Sequence, residues 1–170
     1  PRMAEVRAGV ARILGLVDMR LVGSMMVGPG EWDRYLSITL PALLEFCDGV
    51  CVRIEADPAP QGLTDGPKLK TLYAPPTFFV HEGRARQALL DFTLQDNPTH
   101  VIALDADEIV TDGAAVRAAC EANHGVGVWT LGITEVWKAD AGSLWLRTDG
   151  GWDAQARSPL LYRAPRRGGG

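Results

Sequence analysis

The chain is poor in the residues that carry several common site chemistries. Its three cysteines, Cys47, Cys51 and Cys120, are wrongly spaced for a zinc site, and no paired histidines are available to complete four ligands. An odd number leaves no complete disulfide framework, so the three read as reduced, mostly buried thiols of a cytoplasmic protein. His81, His100 and His124 are scattered and receive no chemistry. Basic charge is not in excess: 17 Lys and Arg against 21 Asp and Glu leave a net charge of -4. With no basic stripe to neutralise a phosphate backbone, nucleic acid is not an expected partner. No apolar run approaches the roughly 20 residues of a transmembrane helix, and the N-terminal stretch lacks the apolar core of a secretory signal. The expectation is a soluble, unexported chain without a transmembrane segment.

What is present suits one domain, since 170 residues with 46% hydrophobic content can bury a sizeable core. Residues 1–18 place Val6, Val10, Ile13, Leu14 and Val17 at helical spacing among arginines, which predicts an amphipathic N-terminal helix or extension. Residues 165–170, at the end of "RAPRRGGG", read as a flexible tail or truncation point. Between them, 19–164 alternates strand and helix. "MRLVGSMMV" (19–27) is an apolar strand stopped by Gly28-Pro29-Gly30. A helix follows from Glu31, with Pro41 expected to kink or break it. "GVCVRIEA" (49–56) is a second strand, "LKTLY" (69–73) a short third, and Glu82 to Leu94 a second helix. "HVIALD" is the fourth strand, followed by a helix capped by Asp112 and running to about Asn123. The alternation predicts an α/β fold with a mixed, mainly parallel sheet flanked by helices, whose ligands bind at the carboxyl ends of the strands. Beyond Gly125 the pattern changes to short strand-like pieces carrying four of the five tryptophans, which predicts an antiparallel C-terminal portion able to wall a site.

The fourth strand runs straight into three acids within four positions, Asp105, Asp107 and Glu108. Carboxylates spaced D-x-D at a strand end can reach one point, and a hard divalent cation, Mg²⁺ or Mn²⁺ rather than zinc, relieves their repulsion. The bland alternative is that Asp105 caps a turn while the other two face solvent. An EF-hand loop is excluded, because Ile109 and Val110 stand where it needs an oxygen ligand and a glycine. A haloacid-dehalogenase-type phosphatase would carry its D-x-D near the start of the domain and a later lysine and acid pair; here four strands have already passed and Lys138 is the one lysine that follows.

"VIALDADEIV" resembles the fourth-strand D-x-D of the family 2 glycosyltransferases of the GT-A fold. "DRYLSITLPALLEFCDGVCVRIEAD" resembles that family's first helix and second strand, "LTDG" (63–66) its S-x-D-G piece, and "GRARQALLD" the helix start before the D-x-D strand. The resemblance covers about residues 20 to 120, and the order of the stretches carries it more than any single one. It implies a GT-A-type, Rossmann-like single domain over 19–164, with a nucleotide-binding half at about 19–112 and an acceptor-side half at about 113–164. It further implies that Asp105 and Asp107 serve a divalent cation and the diphosphate of a UDP- or GDP-sugar. Asp57 and Asp65 would face the base, Met26, Val27 and Gly28 would line the nucleotide through their backbone, and Arg86 would stand near the diphosphate. For Arg86, a salt bridge to Glu82 is an equal alternative. "VGPGEW" departs from the Asn-Glu pair common after the family's first strand, and no histidine beyond His124 is available as a further ligand.

The implied activity is that of a hexosyltransferase acting on an acceptor glycan, protein or small molecule, with inversion. Its general base would be a carboxylate of the C-terminal part, Asp149 first, from "LRTDGGW", and Glu135 second. Trp145 and Trp152 could stack on a sugar. Glu108 would turn away or support the loop. The competing functions are a nucleotidyltransferase of similar architecture, which would usually carry a basic glycine-rich loop after its first strand, and a catalytically inactive nucleotide-sugar-binding scaffold.

Overall fold

The computed structural model describes residues 18–56, 63, 65–123, 126–131, 136–140, 143–146 and 159–164. The expected N-terminal helix and the tail at 165–170 lie outside the described residues. Among the described residues, eleven elements follow in order: β1 (Leu21–Val27), α1 (Trp32–Phe46), β2 (Gly49–Glu55), β3 (Leu69–Ala74), α2 (Phe78–Leu94), β4 (His100–Asp105), α3 (Gly113–Ala122), β5 (Val128–Thr130), β6 (Val136–Asp140), β7 (Ser143–Leu146) and β8 (Pro159–Arg163).

Six strands form one sheet in the order β3-β2-β1-β4-β8-β5, and β6 and β7 form a separate antiparallel pair. The first four are mutually parallel, whereas β8 runs antiparallel to both β4 and β5. This is the mixed, mainly parallel sheet with an antiparallel C-terminal part that the strand and helix alternation predicts. β1 and β2 are buried along their whole length because helices cover both faces, which is why they read as near-continuous apolar runs.

The two faces hold separate apolar clusters. On one, Leu36, Leu40 and Leu43 of α1 pack against Leu21, Met25, Val27, Val52 and Ile54, with Cys120 of α3 alongside. On the other, Ala85 and Leu89 of α2 pack against Val22, Met26 and Cys51. Each fully buried Leu, Val or Ile contributes about 1.5–3 kcal/mol, so this two-sided burial is what sets the strand register. Gly23 lets α1 approach closely: a Cβ there would stand 2.8 Å from Leu43 Cδ2.

Two helices differ from expectation in detail. α1 continues through Pro41 without a break. Pro41 and Ser37 both lie on the exposed side, so the carbonyl that loses its donor is open to water, while Leu40 and Leu43 hold the helix to the sheet. α2 is interrupted at His81 (φ -143, ψ 51), so its regular part begins at Glu82 as expected and Phe78–Val80 forms a separate turn in front of it. Asp112 caps α3, its carboxylate accepting from the Ala115 amide at 2.8 Å.

Ion pairs clasp the amino edge of the sheet. Asp48 accepts from the Leu21 amide (2.8 Å) and pairs with Arg117 of α3 (3.2 Å). Asp96 pairs with Arg20 (2.6 Å) and with Lys70 of β3. Burial pushes both carboxyls up, but hydrogen bonds from the Leu21 amide and Arg117 to Asp48, and from Lys70 and Arg20 to Asp96, outweigh it and hold both below the usual range.

Candidate functional site

The chain runs from β1 outward through β2 to β3, then returns past β1 to β4. The order therefore reverses between β1 and β4, and the crevice at the carboxyl ends of those two strands is where an open α/β sheet binds ligands. Register aligns Met26 with Asp105 on one side and with Arg53 on the other. Paired positions of parallel strands present their side chains to the same face, so Arg53, Met26 and Asp105 form a row on the face that α2 covers.

Asp105 is the last residue of β4, and α2 supplies its partner. Ala85 and Leu89 anchor the helix, which brings Arg86 over the strand end. Both guanidinium Nη atoms donate to Asp105, Nη1 to Oδ1 at 3.0 Å and Nη2 to Oδ2 at 3.1 Å, while Nε donates to Glu82 Oε1 at 2.8 Å. Of the two expected positions for Arg86, the salt bridge to Glu82 is made, and the same side chain also grips the first acid of the D-x-D. The Asp105 carboxylate, then that of Glu82, raise the guanidinium pKa above its already high value.

Glu108 closes the turn that follows. Its Oε2 accepts from the Asp105 amide (2.8 Å), and its own amide donates to the Asp105 carbonyl (3.1 Å). Burial, then repulsion from Asp105 and Asp107, push its carboxyl up against the opposing hydrogen bond from that amide. Glu108 is thus the loop support expected, and the clasp leaves Asp107 exposed at the tip of the turn. Among the described residues, no three His, Cys, Asp or Glu side chains gather as a metal cage.

The loop after β1 is also pinned by a carboxylate. Glu31 Oε2 accepts from the Gly28 amide at 2.6 Å, and the Glu31 amide donates to the Gly28 carbonyl at 3.2 Å. Gly30 takes a positive φ of 80 to make the turn. Met26 and Val27 are buried as whole residues, at 2% and 0% exposure, and the Gly28 amide is already engaged by Glu31, so none of the three expected nucleotide contacts stands open at the strand end.

At the end of β2 stands a buried cluster that sequence reasoning missed. Glu55 is fully buried, and its Oε1 accepts from Arg53 Nη2 (2.8 Å), Arg53 Nε (3.2 Å) and Thr77 Oγ1 (3.0 Å). Its Oε2 accepts from the Thr77 amide (2.7 Å), which ties the start of α2 to the sheet. The signal was Arg-x-Glu inside the apolar run "VCVRIEA", two charges on one strand face that burial would force to pair.

Asp65 is placed away from this crevice. Its Oδ1 accepts from the Thr71 amide (2.8 Å) and Thr71 Oγ1 (2.7 Å), capping the turn into β3. β3 lies three strands from β4, or about 14 Å at the usual strand spacing. Asp57, Glu135, Asp149 and Trp152 lie outside the described residues, as does the side chain of Trp145. His100 is buried at the amino end of β4, edge-on to Trp129 at 5.4 Å, where it has a packing role.

The strands flanking the C-terminal excursion meet at this same edge. Thr130, the last residue of β5, pairs with Pro159, the first of β8. The chain therefore leaves the sheet and rejoins it at the end where Asp105 lies.

No protein-family model matches the chain, and no curated protein sequence matches it closely enough to count as a relative. Among solved structures it is similar to the crystal structure of S. aureus TarS 1-349, with a TM-score of 0.50 and 16% sequence identity. That match covers 85% of this chain and 47% of TarS 1-349, so the chain spans about half the length of that structure. At this identity the likeness establishes the fold: a Rossmann-like α/β arrangement, shared with TarS, with its crevice between β1 and β4.

Proposed function

We propose that this chain forms the donor-binding part of a metal-dependent glycosyltransferase of the family 2 type, moving a hexosyl group from a nucleotide-diphosphate donor to an acceptor hydroxyl with inversion. The observation that carries the proposal is the Asp105 to Glu108 turn at the β1/β4 crevice, with one acid held by Arg86, one clasping the turn and one exposed. The likeness of the fold to that of TarS, a glycosyltransferase, supports the same direction.

The donor set fits a cation shared with substrate and not a cage made by protein alone. Two carboxylates on one turn suffice for Mg²⁺ or Mn²⁺ when phosphates and water complete the shell. Asp107 and Asp105 would hold the ion, which when bound offsets charge on the departing nucleoside diphosphate. Arg86 supplies a planar fork that matches phosphate oxygens. Glu108 keeps the turn in shape, and Glu55 with Arg53 fixes the floor beside it. Asp57 takes the base. Asp149, or Glu135, accepts the acceptor's proton as its oxygen bonds to the anomeric carbon and the bond to phosphate breaks on the opposite face. A nucleotidyltransferase is disfavoured, because Gly28-Pro29-Gly30 carries no Lys or Arg where that class usually has a basic loop.

The test is thermal unfolding with UDP- and GDP-sugars, with and without Mn²⁺, together with an assay of donor hydrolysis. Stabilisation that needs both ligands and vanishes in Asp107→Ala supports the proposal. No stabilisation by any donor at saturating Mn²⁺ would sink it, and stabilisation without turnover would favour the inactive scaffold.

A further inference from the structure

Arg86 presents different nitrogens to its two partners. Nε is held by Glu82 on the same helix, while Nη1 and Nη2 together occupy both oxygens of Asp105. A cation bound to Asp105 needs at least one of those oxygens and would bring two positive charges against a third. The Arg86 fork would then have to leave. Glu82 allows it to do so without losing its anchor, because the guanidinium can stay fixed at Nε while its other edge changes partner. A diphosphate offers oxygens of matching geometry.

We propose that Arg86 is a placeholder for the cation, so that the cation and the nucleotide diphosphate bind as a coupled pair: neither alone releases Asp105 at low cost, and together the phosphates receive the Arg86 fork while the ion receives Asp105. The inference rests on the donor-binding proposal above and adds the coupling. By linkage the effect is reciprocal, each ligand raising the affinity of the other by the same factor. Asp105 and Arg86 are 40% and 42% exposed, so water screens the pair and the placeholder costs the cation a modest factor.

The experiment measures Mn²⁺ binding to the free protein, by calorimetry or by the spin resonance of unbound Mn²⁺, and repeats it with UDP and with GDP. For Arg86→Gln the expected result is Mn²⁺ bound alone about fivefold tighter than by wild type, as loss of one screened bidentate pair implies. The factor by which the nucleotide raises Mn²⁺ affinity should fall by about the same fivefold, the remainder coming from phosphates that complete the ion's shell, and nucleotide affinity should drop. Arg86→Lys, which keeps the charge but cannot fork both oxygens, should fall between. Circular dichroism of each variant confirms the fold, and Glu82→Gln, whose side-chain carbonyl can still accept from Nε, controls for loss of the neighbouring charge, since it should leave Mn²⁺ binding alone unchanged within about twofold. Equal Mn²⁺ affinity in wild type and Arg86→Gln, with nucleotide coupling intact in both, overturns the placeholder and leaves donor binding standing. Absence of Mn²⁺ and nucleotide binding in wild type, singly or together, overturns both.

Discussion

Glu108 turns its carboxylate back onto the Asp105 amide, while Asp107, one residue earlier, stands exposed at the tip. Exposed substitutions away from special features change stability by less than about 0.5 kcal/mol, so Asp107→Ala should melt like wild type and lose only its metal-linked response to nucleotide. Glu108→Gln can still accept the amide hydrogen through its side-chain carbonyl and should keep that response. Glu108→Ala should lose about 0.5–1.5 kcal/mol by urea unfolding. The thiols give a second check. Cys47, Cys51 and Cys120 are all buried; burial pushes Cys47 up to about 12 and Cys51 to about 11, and raises Cys120 as well. A disulfide exchange reagent at pH 8 should find none of them reactive in the native protein and all of them after denaturation. Rapid labelling of any one under native conditions would contradict the packing of β2 or α3.

At the scale of elements, the junction of β2 with α2 depends on Glu55. Glu55→Ala would leave Arg53, 8% exposed, without its main counter-charge, and should cost about 3–5 kcal/mol in chemical denaturation. The amino-edge clasps set the response to acid. Asp48 and Asp96 have carboxyls lowered in the folded state, so their contribution is fully present above the unfolded carboxylate pKa of about 3.9 and is lost as pH falls through the lower folded values. Urea midpoints should therefore fall steeply below about pH 4, and Asp96→Asn should flatten that fall. Elements of this kind were legible where burial is two-sided: "LVGSMMV" and "VCVRI" announce their strands because nearly every side chain meets a helix. The interruption at His81 was not legible, because it depends on where Thr77 is tied by Glu55, a contact between residues 22 positions apart.

On the scale of the whole molecule, the D-x-D could be placed at a strand end from sequence, but the grip of Arg86 on Asp105 could not, since it depends on α2 crossing the face of β1 and on β4 lying beside β1. The candidate bases were chosen by resemblance and share no local signal with the crevice. What connects them to it is the pairing of Thr130 with Pro159, which opens and closes the excursion at one edge. Replacing residues 132–157 by a short glycine-containing turn should keep the six-stranded sheet and nucleotide binding while abolishing transfer, checked by calorimetry beside a turnover assay. Loss of cooperative unfolding in that variant would show that the excursion is needed for the fold itself.

β8 lies between β4 and β5 although it is the last of the three to be made. During synthesis the parallel strands β1 to β4 can assemble as soon as they emerge, whereas among the described residues β5 pairs with β8 alone, the last strand to be made. The open flank of β4 stays available to other strands throughout that interval, and joining it requires a contact between distant parts of the chain, the slow kind of folding step. A chain stalled before β8 is therefore expected to display a half-finished sheet with an unpaired margin at β4.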